Sequence, residues 1–404
     1  MRVCVVAEHY PRRRDPVLGV WAHRQARAAR DAGADVRVLV LERPVPPVAA
    51  IRSLGRGRPA PLVRSVRGFA AQPVRATLDG LEVEYVRFLA PPRERAYASW
   101  HRRAAPPLER ALGRLHSSWP IDVVHAHYAL PAAGAAREWA ARHGLPLAVS
   151  VHGGDVLSPL LATPAARAEV AAVLRSSAAV LCNSRATLER AASLAGRTEH
   201  MRVVHLGAEA PAHPHPRREA PTVATLGHVI PRKRHLDVLR ALHVLAVRRP
   251  ELRWLVIGDG PALAVVREEA ARLDLADRVE LAGQLPPERA LEELASCHVM
   301  ALPSVDEAFG VAYAEALACG LPAVGCRGEW GPEEIHALGP GMTLVPPRDP
   351  DALAAALESL LGDPEHRAAA GADARRTAAE HFSWDACGRA TVAAYGDALA
   401  VGAG

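Results

Sequence analysis

Lysine is almost absent from this chain of 404 residues: its 49 lysine and arginine residues are 48 arginines and one lysine, Lys233. Arginine and lysine are not interchangeable where a compact charge must meet a phosphate. The single lysine is therefore a candidate for a specific contact, against the alternative that its position is a matter of chance.

Cysteine is scarce as well, and no two cysteines form a C-x-x-C pair. This spacing argues against a disulfide framework and a zinc knuckle, so we expect buried, reduced thiols. The six are Cys4, Cys182, Cys297, Cys319, Cys326 and Cys387.

Long apolar runs are also lacking. No uncharged run approaches the roughly 18 residues that a membrane-spanning helix needs. The opening stretch MRVCVVAEHYPRRR places its charges after a short apolar segment, which is the wrong order for a signal peptide. We therefore expect a cytoplasmic protein.

Charge is distributed unevenly along the chain. Residues 1–207 hold 30 arginines against 16 acidic residues, a net of +14, whereas residues 208–404 have a net of −9. A basic half can attract nucleic acid, an anionic membrane or a phosphorylated substrate. The arginine-rich segments lack the interleaved aromatic residues on which bases stack, so we expect no nucleic-acid partner and favour a solvated or membrane-touching face.

Short apolar runs alternate with helical patterns in both halves, which predicts an α/β protein with two parallel sheets buried on both faces. At this length two domains are expected. A proline-rich, aperiodic segment, GAEAPAHPHPRREAPT, separates the halves and is predicted to be a linker. The predicted strands are VCVVAE, DVRVLVLE, LEVEYVRF, DVVHAH, PLAVSVH, AAVLCNS and MRVVHLG, then TVATLG, LRWLVIG, VELAGQ, VMALPS, PAVG and MTLVP.

The segment PSVDEAFGVAYAEALACGLPAVG carries the most specific pattern. Glu307 and Glu315 are eight residues apart, which predicts that they lie on one helix, roughly 12 Å apart along it and about 80° apart around it. Ala308, Phe309 and Gly310 between them would present backbone N–H groups at the helix start, which suits a phosphate. The order of a carboxylate, backbone amides and a second carboxylate then matches the order of sugar, diphosphate and ribose in one extended ligand.

These residues, with GHVIPRK and GDGP upstream, resemble the retaining, nucleotide-sugar-dependent glycosyltransferases of the GT-B fold. The resemblance covers nearly the whole chain and is closest to bacterial polysaccharide and natural-product members. It implies two Rossmann-like domains with parallel sheets facing a cleft: residues 1–207 on the acceptor side and residues 220–384 on the nucleotide-sugar side. A C-terminal helix, 385–404, is expected to pack back on the first domain.

The resemblance also assigns roles in the second domain. It implies that Glu307 meets hydroxyls of the donor sugar, that Glu315 holds the ribose and that Lys233 contacts the diphosphate. His228 stands where the family usually has an arginine. Either His228 is protonated beside the diphosphate, or Arg232 or Arg234 supplies the missing positive charge. If none of them does, donor binding is weak.

In the first domain the resemblance places His152, in VHGGD, beside the donor sugar and acceptor. We predict His127 and Asp155 on the acceptor side. Gly19 belongs to a loop expected to approach the diphosphate. The alternation of His125 and His127 would also permit a metal site, which we disfavour because no acidic third ligand is near.

Three further features receive structural interpretations. Arg12, Arg13 and Arg14 are expected to be solvated, although they could gather an anionic acceptor. GDGP lacks the third glycine of a dinucleotide fingerprint. Asp349 of the D-x-D in PPRDPDAL is predicted to cap a helix rather than bind a metal.

The sequence thus predicts a retaining hexosyltransferase that uses no metal and no cofactor apart from its nucleotide-sugar substrate. The acceptor is a hydroxyl in bacterial envelope polysaccharide or antibiotic biosynthesis, and the basic half could hold the enzyme at the inner face of the membrane. His152, Lys233 and Glu307 are the predicted catalytic residues. Two alternatives stay open: a nucleotide-sugar 2-epimerase or hydrolase of the same architecture, and a non-catalytic sugar-nucleotide sensor.

Overall fold

The computed structural model describes residues 1–44, 48–157 and 159–402. The chain divides into two compact units. The first runs from Met1 to Val204 and resumes at Cys387, and the second runs from His205 to Ala386. The sequence places its first boundary at 207 and starts its C-terminal helix at 385; the last two residues of that predicted helix lie outside the described residues.

Fourteen strands form within the described residues, and each of the thirteen runs predicted from the sequence overlaps one of them. The strands are β1 (Arg2–Ala7), β2 (Asp35–Glu42), β3 (Arg75–Leu78), β4 (Leu81–Arg87), β5 (Val123–His127), β6 (Leu147–Val151), β7 (Ala179–Cys182), β8 (Met201–Val203), β9 (Thr222–Leu226), β10 (Arg253–Ile257), β11 (Val279–Gly283), β12 (Val299–Ala301), β13 (Ala323–Cys326) and β14 (Met342–Val345).

The strands build one sheet in each unit. The first sheet has the order β3-β4-β2-β1-β5-β6-β7-β8 and the second β11-β10-β9-β12-β13-β14. Neighbouring strands pair in parallel, except that β3 runs antiparallel to β4. The prediction of two parallel sheets is confirmed, and the antiparallel edge strand β3 is an addition that the sequence did not predict. The alternating exposed side chains of β3 give no buried apolar run to detect.

The helices of the described residues connect these strands. They are α1 (Val20–Asp31), α2 (Val48–Leu54), α3 (Ala60–Ala71), α4 (Arg93–Ala96), α5 (Trp100–Ser118), α6 (Gly134–Arg142), α7 (Gly154–Leu157), α8 (Pro164–Ser176), α9 (Arg185–Ala195), α10 (His235–Leu245), α11 (Leu263–Arg272), α12 (Pro287–Ala295), α13 (Val311–Ala318), α14 (Trp330–Leu338), α15 (Pro350–Gly362), α16 (Pro364–His381) and α17 (Trp384–Gly402).

Each unit has its own core. In the first, apolar residues of the central strands pack with those of α5, α6 and α8. In the second, β9, β10, β12 and β13 pack against α10 and α15. Consecutive residues of β5, β6 and β7 are all buried, so helices must cover both faces of the sheet, as parallel strands require.

The C-terminal helix α17 contributes to the core of the first unit. The hydroxyl of Tyr395 lies 2.7 Å from Nδ1 of His125, and Gln25 donates to the hydroxyl of Thr391 at 3.1 Å. A Cβ at Gly388 would lie 2.2 Å from the carbonyl oxygen of Ala28, so this glycine permits the close packing of α17 on α1.

Residues 207–221 of the segment predicted to be a linker contain no helix or strand, but they are anchored to the second unit. Arg218 donates to the carboxylates of Glu280 at 2.6 Å and Glu293 at 2.8 Å. Among the helices of the described residues, none combines the length and the apolar character needed to cross a bilayer.

Candidate functional site

In both sheets the strand order reverses at one point, between β1 and β5 in the first unit and between β9 and β12 in the second. At such a point the loops that follow the two strands diverge and leave a crevice at their carboxyl ends, where open α/β sheets bind ligands. The loops after β9 and β12 carry Lys233 and Glu307, and His9, His127 and His152 lie at the carboxyl ends of β1, β5 and β6.

Lys233 and Glu307 meet at the crevice of the second unit. Lys233 ends a short 3-10 turn, Pro231–Lys233, and its Nζ lies 2.5 Å from Oε2 of Glu307. The two side chains are only 11% and 9% exposed. Arg232 adds a second cation 3.6 Å from the same oxygen. The crevice thus contains a buried carboxylate between two positive charges.

The protonation of Glu307 follows from these neighbours. Burial by itself raises the pKa of this carboxyl, but the charges of Lys233 and Arg232 and the hydrogen bond from Lys233 outweigh it and lower the pKa below its ordinary value. Ser304 donates its hydroxyl to Oε2 at 3.0 Å. Glu307 is therefore ionised at neutral pH and fixed in position.

Glu307 and Glu315 do not lie on one helix, so the separation predicted on that basis is wrong. Helix α13 begins at Val311, and Glu307 lies in the loop before it. Gly310 adopts a φ of 82°, a left-handed conformation that ends the loop and cannot continue a helix towards Glu307. Glu315 lies half-buried in the second turn of α13.

Ala308, Phe309 and Gly310 do lead into the start of α13, where the first backbone N–H groups have no acceptor within the helix. The side chain of Phe309 is buried. It stacks on His205 with ring centroids 5.7 Å apart and meets Phe382 edge-on. This aromatic packing fixes the loop, and only the backbone of Phe309 is available to a phosphate.

A second carboxylate, Glu329, supports the loop. Its Oε2 accepts the backbone N–H of Glu307 at 3.0 Å, and the N–H of Gly331 donates to the carbonyl of Glu307 at 2.9 Å. Burial raises the pKa of Glu329. The loop after β13 therefore positions Glu307 from the other side.

His228 is exposed, and its Nδ1 lies 3.0 Å from the carbonyl oxygen of Asp259. Because a carbonyl only accepts, Nδ1 carries a proton, and the neutral ring has only an acceptor at Nε2. His228 can donate to an anion through Nε2 only when it is protonated.

The glycines of GDGP explain how this loop is held. A Cβ at Gly258 would lie 2.0 Å from the carbonyl oxygen of Gly227, and one at Gly260 would lie 2.4 Å from that of Val229. The two glycines therefore permit close packing of the loops after β9 and β10, which agrees with the view that GDGP is no dinucleotide fingerprint.

Arg234 is committed to another partner. It donates to both carboxylate oxygens of Asp237, at 2.7 and 2.9 Å. Three residues were considered as the source of the positive charge that an arginine usually supplies to the diphosphate. Because Arg234 is paired with Asp237, His228 and Arg232 are better placed to contact the diphosphate.

In the first unit, the register of β5 and β6 pairs His127 with Ser150, two residues before His152. Nδ1 of His127 lies 2.9 Å from Nε2 of His152, and the two rings are nearly parallel, with an interplanar angle of 7°. Burial lowers the pKa of both rings, that of His152 to about 3, so both are neutral.

Asp155 binds the backbone next to the His127–His152 pair. Its side chain is fully buried and accepts the backbone N–H groups of His152 at 2.9 Å and Ala129 at 3.0 Å. Burial raises the pKa of Asp155 to about 6. The carboxylate is thus occupied by backbone donors, so it positions the strand ends rather than facing a ligand.

Aromatic residues surround the pair. His9 and Tyr128 have ring centroids 5.1 Å apart, and Trp21 and Tyr128 lie 6.1 and 5.3 Å from His152. Within the described residues, no hydrogen-bond partner is found for four buried ring nitrogens: His9 Nδ1, Trp21 Nε1, His127 Nε2 and His152 Nδ1. Buried polar atoms ordinarily find partners, so this cluster is suited to a polar ligand.

Gly19 and the arginines before it lie in the loop after β1. Gly19 has a φ of 64°, and a Cβ there would lie 2.2 Å from the carbonyl of His9, so it allows two backbone segments to meet. Arg12 is buried and donates to the carbonyls of Glu8 and Leu41, so its predicted solvation is wrong. Arg13 is exposed, and the guanidinium of Arg14 lies 3.8 Å from the Phe69 ring centroid.

Two other sequence predictions are confirmed. Asp349 caps α15 by accepting the N–H of Ala352 at 2.9 Å. The six cysteines are free and buried. No cluster of three or more His, Cys, Asp or Glu side chains suited to a metal occurs in the described part of the chain.

Residues 18–207 match the model of the glycosyl transferase 4-like domain, and residues 209–377 match that of glycosyl transferases group 1. The chain belongs to the GT-B glycosyltransferases. Solved structures support the fold over nearly the full length. Sucrose-phosphate synthase from Thermosynechococcus elongatus superposes with a TM-score of 0.73 at 18% identity, covering 99% of this chain and 100% of that chain. HepE from Anabaena, solved with UDP, has a TM-score of 0.70 at 17% identity, covering 97% and 99%.

Curated relatives are more similar over a shorter span. A GDP-mannose-dependent α-(1-6)-phosphatidylinositol monomannoside mannosyltransferase of Mycolicibacterium smegmatis is 33% identical over 173 residues, 41% of this chain and 45% of the relative. A D-inositol 3-phosphate glycosyltransferase of Thermobispora bispora is 32% identical over 190 residues, 45% and 44%. The matches span less than half the length of these relatives.

Several polar residues at the crevices of this glycosyltransferase are absent from the sequence prediction. Ser304 lies in the PS that precedes the two glutamates, so a signal was present. His9 and Trp21 flank the loop that was singled out for Gly19. Glu329 and Tyr128 carried no signal, because only the fold brings them to Glu307 and His152.

Proposed function

We propose that the chain transfers a sugar from a nucleotide-diphosphate donor to a hydroxyl acceptor with retention of configuration, without a metal ion. The observation that carries this proposal is the buried contact between Lys233 and the ionised Glu307, with Arg232 beside it, at the switch point of the second unit. A sugar diphosphate requires a carboxylate that accepts hydrogen bonds from sugar hydroxyls and cations that bind phosphates.

Lys233 is proposed to bind the diphosphate. An ammonium has three N–H donors, and one is engaged by Glu307, so two remain for phosphate oxygens. Arg232 has a side chain 42% exposed and can turn to the same anion. The amides of Ala308, Phe309 and Gly310 supply uncharged donors near the positive end of the α13 dipole.

Glu307 is proposed to accept hydrogen bonds from the donor sugar, and Glu315 to hold the ribose. The hydroxyl of Ser304 and the ammonium of Lys233 both meet Oε2 of Glu307. Its other oxygen, Oε1, is the one we assign to the sugar. The opposite roles of the two glutamates come from the family resemblance.

On the acceptor side, we propose that His127 and His152 position the sugar and the attacking hydroxyl. Both rings are neutral, so they can hydrogen-bond without placing charge beside the developing oxocarbenium ion. The bond between the anomeric carbon and the diphosphate oxygen breaks as the acceptor oxygen attacks from the same face. The acceptor proton passes to the leaving phosphate, whose negative charge Lys233 stabilises.

The relatives suggest which donors to test first. One relative's name specifies GDP-mannose, and HepE has been solved with UDP-glucose. We therefore propose GDP-mannose and UDP-glucose as the first two donors. The proposed pathway, bacterial envelope polysaccharide or natural-product glycosylation, accords with the phosphatidylinositol mannoside named for the mycobacterial relative.

We further propose peripheral contact with the inner face of the membrane through α2 and α3. Ile51, Val63 and Val66 on these helices are 48%, 43% and 52% exposed. Five arginines lie in the same segment, at positions 52, 56, 58, 64 and 67. Apolar residues among arginines are typical of helices that lie in the interface of an anionic bilayer. Changing Val63 and Val66 to serine should reduce sedimentation with phosphatidylglycerol vesicles, and unchanged sedimentation would contradict this surface.

A transfer assay tests the proposed function. Each labelled donor is incubated with the enzyme and a panel of hydroxyl acceptors, and the anomeric configuration of the product is determined by NMR. We expect transfer with retention in the wild type, loss in Lys233→Ala and no loss in Arg272→Ala, which removes an exposed arginine paired with Glu269. Sugar release or epimerisation independent of an acceptor would favour the epimerase or hydrolase, and nucleotide binding without turnover the sensor.

A further inference from the structure

A pocket of about 320 Å³ lies in the second unit at the opposite end of the sheet from Lys233 and Glu307. His298 lines it immediately before β12, and Gly320 lines it after α13, before β13 begins. One wall is a face of α16. The pocket therefore opens at the amino ends of the strands, whereas the proposed donor site lies at their carboxyl ends.

The pocket is lined by three arginines and a histidine and by no acidic residue. The arginines are Arg217, Arg367 and Arg375. Within the described residues, none of them forms an ion pair with a carboxylate. The adjacent Arg218 shows the contrast, since it pairs with both Glu280 and Glu293.

Backbone carbonyls hold the guanidinium groups in place without neutralising them. Arg217 donates to the carbonyl of Cys297. Arg367 donates to the carbonyls of Leu360 and Leu361, each at 3.2 Å, at the end of α15. These contacts fix two like charges at the pocket wall and leave other N–H groups of each fork for a ligand.

Two glycines bring the third arginine to the pocket. A Cβ at Gly371 would lie 2.6 Å from the carbonyl oxygen of Gly320, so α16 approaches the end of α13 closely. A Cβ at Gly320 would lie 1.9 Å from Nη1 of Arg375. The guanidinium of Arg375 thus lies directly against the backbone of Gly320.

His298 adds a donor of known orientation. The ring is 8% exposed, and its Nδ1 accepts the backbone N–H of Thr222 at 3.1 Å. Because Nδ1 accepts, Nε2 carries the proton of the neutral ring. Burial and the charges of Arg367 and Arg217 lower the pKa of His298 to about 4, so it serves as a neutral donor.

We propose that this pocket, formed by Arg217, His298, Arg367 and Arg375, binds a phosphate-bearing anion at a site separate from the donor diphosphate. Uncompensated like charges destabilise one another, and an anion removes that repulsion while accepting from the guanidinium forks. Burial and the charges of Arg375 and Arg367 lower the pKa of Arg217, in keeping with a positive field that nothing in the pocket offsets. The volume suits a diphosphate or a small phosphate ester.

The phosphate can belong to a small molecule or to a lipid headgroup, and the test separates these sources. Pyrophosphate is titrated calorimetrically into the full chain carrying Lys233→Ala, which weakens the proposed donor site. The same titration is made after adding Arg217→Gln with Arg375→Gln, or Arg272→Gln with Arg289→Gln as a control that removes two exposed arginines with ion-pair partners. Sedimentation with phosphatidylglycerol or phosphatidylcholine vesicles is compared in the same variants.

We expect pyrophosphate to bind in the Lys233→Ala background and the pocket variant to weaken it by about tenfold or more, since hydrogen bonds to charged groups contribute that much. The control should not. If the pocket variant loses sedimentation with phosphatidylglycerol vesicles but binds pyrophosphate as before, a lipid headgroup is the source of the phosphate. If neither ligand depends on the pocket arginines, the proposal is wrong.

A second variant distinguishes loss of the anion site from loss of the fold. Ala368 lines the pocket on α16 and is exposed, so Ala368→Glu places a carboxylate among the arginines at a helix-compatible position. It should abolish binding while raising the melting temperature. Retained binding in Ala368→Glu would also overturn the proposal. Sugar transfer from the donor is measured in a separate assay. A wild-type enzyme without transfer activity would therefore contradict the proposed function but would not contradict anion binding in this pocket.

Discussion

Replacing Lys233 with methionine tests the buried ion pair while keeping most of the side-chain volume. Breaking a buried pair by removing one partner costs about 3–5 kcal/mol, because a charge stays buried without compensation. Glu307 retains Ser304 at 3.0 Å and Arg232 at 3.6 Å. We therefore expect the low end, a loss of about 3 kcal/mol in the free energy of unfolding at pH 7.5.

The pH dependence of this loss follows from the pKa of Glu307. In the wild type the pKa is lowered, so the stability that the pair contributes is present above the ordinary carboxyl pKa and is lost as pH falls through the lower folded value. Without the ammonium, burial raises the pKa of Glu307, and the carboxyl takes up a proton as pH falls. The deficit of Lys233→Met should shrink between about pH 7.5 and pH 5, which are chosen above a carboxyl's ordinary pKa of about 4.3.

The assay is urea unfolding followed by circular dichroism at the two pH values. Arg232→Met is the matched control. It removes a charge near the same oxygen from a side chain that is 42% exposed, so it should cost less than about 1 kcal/mol. Adding Glu307→Gln to Lys233→Met should recover part of the loss, since it removes the uncompensated charge. Equal losses in Lys233→Met and Arg232→Met, or a deficit that does not change with pH, would refute the reasoning.

Three further predictions concern activity and ligand binding. Lys233→Arg should lose much of the turnover that Lys233→Ala loses, because a guanidinium fork does not fit the space of the ammonium; near wild-type kcat/KM would contradict this. Glu307→Gln should mainly lower turnover, whereas Glu315→Gln should also weaken calorimetric binding of the free nucleoside diphosphate; unchanged affinity would remove Glu315 from the ribose site. His228→Arg should tighten binding of the free nucleoside diphosphate, because a guanidinium is a permanent cation with several N–H donors. Equal affinity in His228→Arg and wild type would exclude His228 as a phosphate ligand.

Strands such as β5, β6 and β7 could be predicted because burial on both sheet faces leaves continuous apolar runs. The exception, β3, alternates exposed and half-buried side chains at a sheet edge, and its antiparallel pairing depends on the turn at Asp79 and Gly80. Neither feature produces an apolar run.

The helix start at Val311 shows a different limit. Spacing alone placed Glu307 and Glu315 on one helix, but the left-handed Gly310 separates the loop from the helix. The same loop is held by Glu329, which lies on a separate strand-to-helix connection. Contacts of that kind depend on how neighbouring strands are ordered, which the local sequence does not specify.

The His127–His152 pair has one feature that the local sequence predicts and one that it does not. The positions of His127 and His152 at strand ends could be inferred from the run DVVHAH and the motif VHGGD. Their direct contact depends on the register that pairs His127 with Ser150. Burial of Asp155 beneath them changes its interpretation from an acceptor-side residue to an anchor of the two strand ends.

Calorimetric titration of GDP and UDP into the wild type and Lys233→Ala tests the central claim, that the single lysine of the chain binds the donor diphosphate. We expect at least one nucleotide to bind the wild type and the variant to bind it about tenfold more weakly or worse, because a hydrogen bond to a charged phosphate is lost. Equal affinity in the two proteins would contradict it.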